Sequence, residues 1–580
     1  MASLLLSRRD LDFLLYEWLD AESLTQRPAY QGHDRATFDA VLDLAEQVAT
    51  RDFAPHNRRN DDEEPTFDGT RVHLHDEIGK ALKAYADAGF IGAGMPEAVG
   101  GMQLPATIAQ ATIGWFQAAN VGSSAYAFLT IANANLLLAY GTPEQVETYV
   151  KPMVEGRYFG TMCLSEPQAG SSLADITTRA EPQPDGSHRL TGNKMWISGG
   201  DHELSENIVH LVLARIPGSP PGAKGISLFL VPKVLPDGSR NDVVLAGLNH
   251  KMGYRGTVNA LLNFGEKGGA TGWLVGKENE GLTAMFHMMN EARIGVGLGA
   301  TALGYSGYLH ALDYARTRPQ GRLVGAKDPT TPMVPLIEHP DVRRMLLASK
   351  SYVEGSLALN LYCGRLVDEE RTGADPDRSR LLLDVLTPIA KSWPAQWCLL
   401  ANDHAIQVHG GYGYTREYAV EQLYRDNRLN PIHEGTHGIQ ALDLLGRKVT
   451  MQGGAGLELL RSTIAETVER AREEHSEYAE ALSSHIARVI QVTQILWGTG
   501  DPALALANAS AYLEAVGHVV VAWMWLEQLV ATGGKEGDFY DGKRAAAEYF
   551  FRWELPKTDP QLDLLASLNR TTLDMKDTWF

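Results

Sequence analysis

Residues 425–440 read Arg-Asp-Asn-Arg-Leu-Asn-Pro-Ile-His-Glu-Gly-Thr-His-Gly-Ile-Gln, and the reading of this stretch governs the rest of the chain. It lies between two helical patterns. Ala419, Val420, Leu423 and Tyr424 mark the first; Ile439, Leu442, Leu444 and Leu445 mark the second. Asn430 and Pro431 end the first helix, while Gly435 and Thr436 supply a flexible turn and a cap for the second. Glu434 therefore stands on a short connector, where rigid helices can aim its carboxylate into a cleft. Read in isolation, it would be an acid favoured by the dipole of the following helix N-terminus.

The surroundings change that reading. Upstream runs Gln407-Val-His-Gly410-Gly411-Tyr-Gly413-Tyr, followed by Glu417 and Arg425-Asp426. Far earlier stands Cys163-Leu164-Ser165-Glu166-Pro167-Gln-Ala-Gly170-Ser171-Ser172. In this order the two stretches resemble the paired signatures of the acyl-CoA dehydrogenase family, in which a Glu-Gly-Thr connector carries the catalytic base. Two positions depart from the pattern: Gln422 replaces a usual Lys or Arg, and Ser172 replaces a usual Asp.

Composition bounds the alternatives. At 580 residues the chain is too long for one core. Hydrophobic content of 44% and charged content of 21% are those of an ordinary globular protein. A net charge of −19 speaks against nucleic-acid or anionic-membrane partners, which require a basic face. Cys163, Cys363 and Cys398 share no close spacing, so they read as reduced core residues in a cytoplasmic protein, and no metal is expected. Leu4-Leu5-Leu6 is too short for a secretory core, and the acids after it argue against a transit peptide. The apolar run 126–140 is fifteen residues long, contains Asn133 and Asn135, and falls short of a membrane span.

Periodicity divides the chain. Residues 1–33 form an arm with Leu11, Leu14, Leu15, Trp18 and Leu19 on one helical face. Residues 34–160 are helical, with Phe38, Val41, Leu42, Ala45 and Val48 in step. Over 161–278 the period shortens to β runs at Leu190, Met195–Ser198, Ile208–Leu213, Ile226–Val231 and Val243-Val244, separated by Pro/Gly/Asp/Ser turns. Helix returns over 279–450, and 451–580 adds a helical extension in which Trp523, Trp525 and Tyr549-Phe-Phe551 read as core. The fold class is thus α+β multidomain: an N-terminal helical domain, a central antiparallel β-barrel, a C-terminal helical bundle and an extra C-terminal helical domain. That order also matches the family. The arm and the extension are similar to those of its longer subclass, including the 3-methylmercaptopropionyl-CoA dehydrogenases.

The resemblance implies a chemistry and assigns residues to it. Desaturating an acyl chain needs a hydride acceptor, which no side chain provides. No Gly-rich dinucleotide fingerprint follows a strand here, which disfavours a Rossmann NAD enzyme; the resemblance implies FAD instead, held between the β-domain and the second helical domain. By resemblance Leu164, Ser165, Ser171, Trp196, Ile197 and Ser198 meet the flavin. Arg318, Gln320, Gln407, Gly410, Gly411 and Thr436 complete the cofactor set, with Arg318 reaching a neighbouring subunit's FAD and Arg322 a candidate to share that task. Ser171, Arg293, His433 and Gly435 are expected at the acyl-CoA substrate, and His433 either tunes Glu434 or forms a plain wall. By the same resemblance Glu434 is expected to remove the pro-R α-proton while the β-hydride passes to flavin N5, giving the trans-2-enoyl-CoA. An electron-transfer flavoprotein is the expected electron acceptor, and a homo-oligomer, dimer or tetramer, the expected assembly. Two alternatives share these motifs: an acyl-CoA oxidase that reduces oxygen, and a non-catalytic DNA-associated flavoprotein, which the acidic charge disfavours.

Overall fold

The periodicity that starts at Asp34 folds as α1 (Arg35–Val48), burying Phe38, Leu42, Ala45 and Val48. Asp34 caps it by accepting from the Thr37 backbone N–H at 2.7 Å. α2 (Asp76–Asp87) and α3 (Ala106–Tyr140) follow. Phe116 of α3 centres an aromatic cluster, 4.6 Å from the Tyr85 ring and 5.1 Å from both Phe53 and Phe90.

At 35 residues α3 is far longer than the run its apolar side chains mark in the sequence. It is interrupted once, at Asn120 (φ −166°, ψ 88°). The Asn120 side chain accepts from the Ser123 N–H at 3.0 Å, as a helix cap would, and donates to the Phe53 carbonyl at 3.1 Å. The limit on apolar length read from the sequence is corrected here. α3 and the later helix Ala509–Thr532 are long and apolar enough to cross a bilayer, yet 67% and 83% of their most apolar windows are buried in the protein.

The computed structural model describes residues 3–326, 328 and 330–580, and the chain packs as two units. The mixed unit comprises Ala29–Pro105 and Trp115–Ala292. Its larger sheet, beside a two-stranded ribbon of Thr66–Phe67 and Val72–His73, has eight strands among the described residues: β1 (Tyr158–Cys163), β2 (Arg179–Pro182), β3 (His188–Ser198), β4 (Asn207–Ala214), β5 (Ser227–Pro232), β6 (Val243–Leu248), β7 (Asn259–Phe264) and β8 (Ala270–Val275). The hydrogen-bonded order is β1-β4-β5-β8-β3-β7-β6, with β2 beside β3. All pairs are antiparallel except β1 and β4, which run parallel from Tyr158 opposite Asn207 to Cys163 opposite Val212. That pair departs from the wholly antiparallel arrangement expected. β4 and β5 are buried along their whole length, so they lack the alternation that marks a strand with one wet face. Asn133 of α3 fastens the helix to the sheet, donating to the Thr161 and Val209 carbonyls at 3.0 Å each.

The helical unit comprises Met1–Pro28, Ala106–Gly114 and Arg293–Phe580. It holds most of α4 (Gly281–Thr317), then α5 (Pro340–Thr372), α6 (Pro376–His409), α7 (Val420–Asn427) and α8 (His437–Asp443). The extension adds α9 (Ala455–Ala471), α10 (Ser476–Gly498), α11 (Ala509–Thr532), α12 (Asp538–Tyr549) and α13 (Thr558–Ala566). It does not stand apart: these helices belong to the same unit as α5 and α6. Trp523 and Trp525 are buried, as core side chains of an added domain should be. The arm docks here too. Leu11, Leu14 and Leu15 are buried, Asp10 pairs with Lys543 of α12, and the Trp18 indole donates to Glu527 of α11 at 3.0 Å.

Candidate active site

Glu434 sits in the left-handed region at φ 54°, and Gly435 follows at φ 85°. Such a backbone costs a non-glycine residue about 1–2 kcal/mol, so something must hold it. Gln440 of α8 donates to the Glu434 carbonyl at 3.0 Å, and the Thr436 hydroxyl caps α8 by accepting from the Ile439 N–H at 3.2 Å. Lys391 of α6 is completely buried and donates to the carbonyls of Asn430 (2.8 Å) and Gly435 (2.7 Å), one on each side of Glu434. Asn430 in turn donates to Asn427, which reaches the Ala300 carbonyl of α4 at 3.1 Å. The loop is short, irregular and tied to three helices.

Among the described residues no group donates a hydrogen bond to the Glu434 carboxylate, and none accepts from its backbone N–H. Burial raises the carboxyl's pKa above the ordinary value, while Lys391 and Arg293 pull against the rise. The same burial lowers Lys391 to about 7, with Glu434 opposing the drop. His433 is held down to about 3 by burial and by Lys391, so its ring is neutral; it bonds Asn430 at 3.1 Å. A neutral ring lends no positive charge to Glu434. Arg293 is 4% exposed, pairs with Asp443 of α8 through one guanidinium nitrogen at 3.0 Å, and lends positive charge to Glu434.

Arg318, Gln320, Gln407, Gly410 and Gly411 line one groove of about 620 Å³ at the ends of α4 and α6. Gly410 lies at φ 63°, and a Cβ on it or on Gly411 would meet nothing within 4 Å, so the backbone there is open to a ligand. The Arg318 guanidinium lies 5.6 Å from the Tyr412 ring centre. Arg322 is not among the lining residues; it donates to the Thr331 carbonyl instead.

In the mixed unit, the expected flavin-facing residues gather where β1 ends beside a bulge in β3. The pairing of β3 with β7 slips between Lys194 and Ile197, and Trp196 in the slip adopts φ 67° with its side chain 58% exposed. The Met195 N–H donates to Ser165 at 3.0 Å, joining the two segments. Buried Lys194 donates to the Leu164 carbonyl (3.0 Å) and pairs with Glu166 (2.9 Å). Burial works to raise Glu166, but Lys194, Thr178 and Thr177 bring it down to about 2. Ser198 is half-buried, and Ile197 is buried, so Ile197 offers a ligand only its backbone. Ser171 lies on an exposed turn whose next residue, Ser172, bonds Asp175, as a shortened stand-in for the expected acid can.

These groups fit the expected cofactor. An exposed indole on a bulge offers a stacking face for a flat heteroaromatic ring. An arginine, two amide side chains and an open diglycine suit a diphosphate-linked nucleoside. Neither Lys194 nor Lys391 was singled out in the sequence. Lys391 stands alone in the apolar run Ile389-Ala390-Lys391-Ser392-Trp393, the one signal that could have marked it.

Models for the acyl-CoA dehydrogenase N-terminal, middle and C-terminal domains match residues 36–157, 161–283 and 279–450, and one described as acetyl-CoA dehydrogenase C-terminal like matches 460–576. A 3-methylmercaptopropionyl-CoA dehydrogenase of Ruegeria pomeroyi is 34% identical, covering 93% of this chain and 94% of its own. The broad-specificity linear acyl-CoA dehydrogenase FadE5 of Mycobacterium tuberculosis is 32% identical over 99% of both chains. Among solved structures, Caenorhabditis elegans ACDH-11 in complex with C11-CoA superposes with a TM-score of 0.78 at 19% identity, covering 96% of this chain and 95% of its own. An acyl-CoA dehydrogenase from Bacillus anthracis complexed with FAD gives 0.77 at 19% identity, covering 98% and 93%. With relatives above 30% identity along nearly its whole length and all four domain models in order, this chain belongs to the acyl-CoA dehydrogenase family.

Proposed function

We propose that this chain catalyses the FAD-dependent α,β-dehydrogenation of an unbranched acyl-CoA thioester and passes the electrons to an electron-transfer flavoprotein in the cytoplasm. The observation that carries it is Glu434: a carboxylate with raised basicity and no hydrogen-bond donor, on a loop held by three helices. The names of relatives support the substrate class, since 3-methylmercaptopropionyl, linear acyl and butyryl chains are all unbranched.

FAD, when bound, supplies the acceptor for the hydride leaving the substrate's β-carbon. Everything else belongs to the protein. Trp196, Leu164, Ser165, Ser171, Ser198 and the Ile197 backbone would hold the flavin. Arg318, Gln320, Gln407, Gly410, Gly411 and Thr436 would hold the remainder of the cofactor, with the Arg318 groove serving the FAD of a second copy. The Glu434 carboxylate takes the α-proton and so becomes neutral. Its unengaged N–H is available to the thioester oxygen, where negative charge grows as the proton leaves. Burial makes this possible, because a carboxylate freed from water is a stronger base. Gly435 lets the backbone turn beside the substrate.

The test is a panel of butyryl-, octanoyl-, 3-methylmercaptopropionyl- and isobutyryl-CoA, assayed with an artificial electron acceptor on FAD-loaded protein. Turnover of the first three above the branched thioester is expected. Absence of turnover with every acyl-CoA would overturn the reading.

A further inference from the structure

The buried lysine beside the base loop has no counterpart among the residues expected from the sequence. Lys391 projects from the middle of α6 and is fully buried, a position where a lone ammonium is costly unless its protons and charge are satisfied. Two of its protons go to main-chain carbonyls, Asn430 and Gly435, which bracket the strained Glu434. Its neighbour Ser392 meets His437 Nδ1 at 2.7 Å, so consecutive residues of α6 grip both the loop and the first turn of α8. The electrostatic balance adds a second role. Of the two cations that act on Glu434, Arg293 is already engaged by Asp443, whereas Lys391 makes no salt bridge among the described residues.

We propose that Lys391 is the positioning residue of the catalytic base: it clamps both sides of the Glu434 loop and supplies the cation that keeps the carboxylate ionised until it takes the substrate's proton. The inference rests on the function proposed above. The other charged or titratable groups facing this site are Arg293 with Asp443, the neutral His433, and His437, which lies 3.5 Å from Glu514 of α11. None of them both touches the loop carbonyls and leaves its charge to Glu434.

The experiment compares wild-type, Lys391→Met and Lys391→Arg holoenzymes. Anaerobic flavin bleaching is followed between pH 5.5 and 9.5 with whichever panel thioester reduces the wild type fastest. Bleaching depends on an ionised Glu434, so the rate rises with pH through its pKa. Removing the cation moves that midpoint to higher pH. A one-unit move slows bleaching about tenfold on the acid side, and alkaline pH restores the ionisation but not the clamp, so the rate recovers only to a plateau below the wild type. Lys391→Arg, which restores the charge, keeps the wild-type midpoint. A uniform loss with an unmoved midpoint, or no loss, would overturn the proposal. Failure of the wild type to bleach with any thioester would instead count against the proposed function.

If the Met variant does not fold, coupling can be read from the other partner. Burial sets Lys391 near 7, so one lysine resonance of [13Cε]lysine-labelled wild type is expected to titrate there, and Glu434→Gln, which removes the supporting charge, should move it to lower pH. An unmoved resonance would refute the proposal as well.

Discussion

Gly435 shows how much of the site hangs on one residue. Its φ of 85° continues the left-handed turn begun at Glu434, and a Cβ there would stand 2.5 Å from Gln440 Nε2, the group that holds the Glu434 carbonyl. Gly435→Ala is therefore expected to cost about 1–2 kcal/mol in backbone strain and to swing the base out of line. Bleaching should slow at least tenfold while bound FAD stays near stoichiometric, because a misplaced base loses its alignment before the fold is lost. Stopped-flow bleaching with flavin quantification checks this. What the sequence revealed at this scale was local: Pro431, Gly435 and Thr436 announce a turn and a cap, and the structure has both. Lys391 stayed hidden because the carbonyls it serves lie some forty positions away, and nothing in a linear pattern pairs them. Trp196 was recognised by resemblance, but its left-handed backbone follows from a slip in strand pairing, which no single strand encodes.

Helices and strands are legible in proportion to how locally they are determined. α1 appears at its expected register because one apolar stripe and one cap define it. Only the second half of α3 stood out as an apolar run in the sequence, since its first half has no clean period and its start is capped from elsewhere. Asp368 of α5 accepts from the Ala106 and Thr107 N–H groups at 2.7 and 2.9 Å, doing the work that Pro105 cannot. Asp368→Ala should therefore destabilise the helical unit by about 1–2 kcal/mol, as loss of a buried cap does. The denaturation midpoint should fall with an unchanged slope, and an unshifted midpoint would remove Asp368 from this role. The parallel β1–β4 pair was likewise invisible, because parallel pairing is decided by the path of the intervening chain and not by either strand. The extension reaches the base loop through Glu514, which is oriented by Gln561 of α13 at 2.9 Å and lies 3.5 Å from His437. A tail that looks dispensable in sequence is thus built into the packing around α8.

For the whole molecule, the order of helical, β and helical segments was readable from composition and period, because each segment buries its own apolar side chains. Assembly was not, since a groove open to solvent in one chain says little about what fills it. The Arg318 groove nevertheless makes a sharp prediction. If its arginine serves the FAD of a second copy, a hybrid of Glu434→Gln and Arg318→Ala subunits contains one site with both defects and one with neither. Co-expressed variants, each inactive alone, should then recover roughly a quarter of wild-type turnover, the share of intact sites among randomly paired dimers. No recovery would place Arg318 and Glu434 in the same site of a single chain.

The central claim is that Glu434 is the base, and Glu434→Gln tests it most directly. Gln preserves shape but cannot take a proton, so FAD content and acyl-CoA binding should be retained while flavin bleaching falls by at least about 10²–10⁴-fold. In the wild type the rate should fall as the solution is acidified through a pKa above the usual carboxylate value, because burial favours the neutral, inactive acid. Anaerobic stopped-flow mixing with the best panel thioester, monitored in the oxidised flavin band, gives both results. Rapid bleaching by the Gln variant would contradict the account and remove Glu434 from the chemistry.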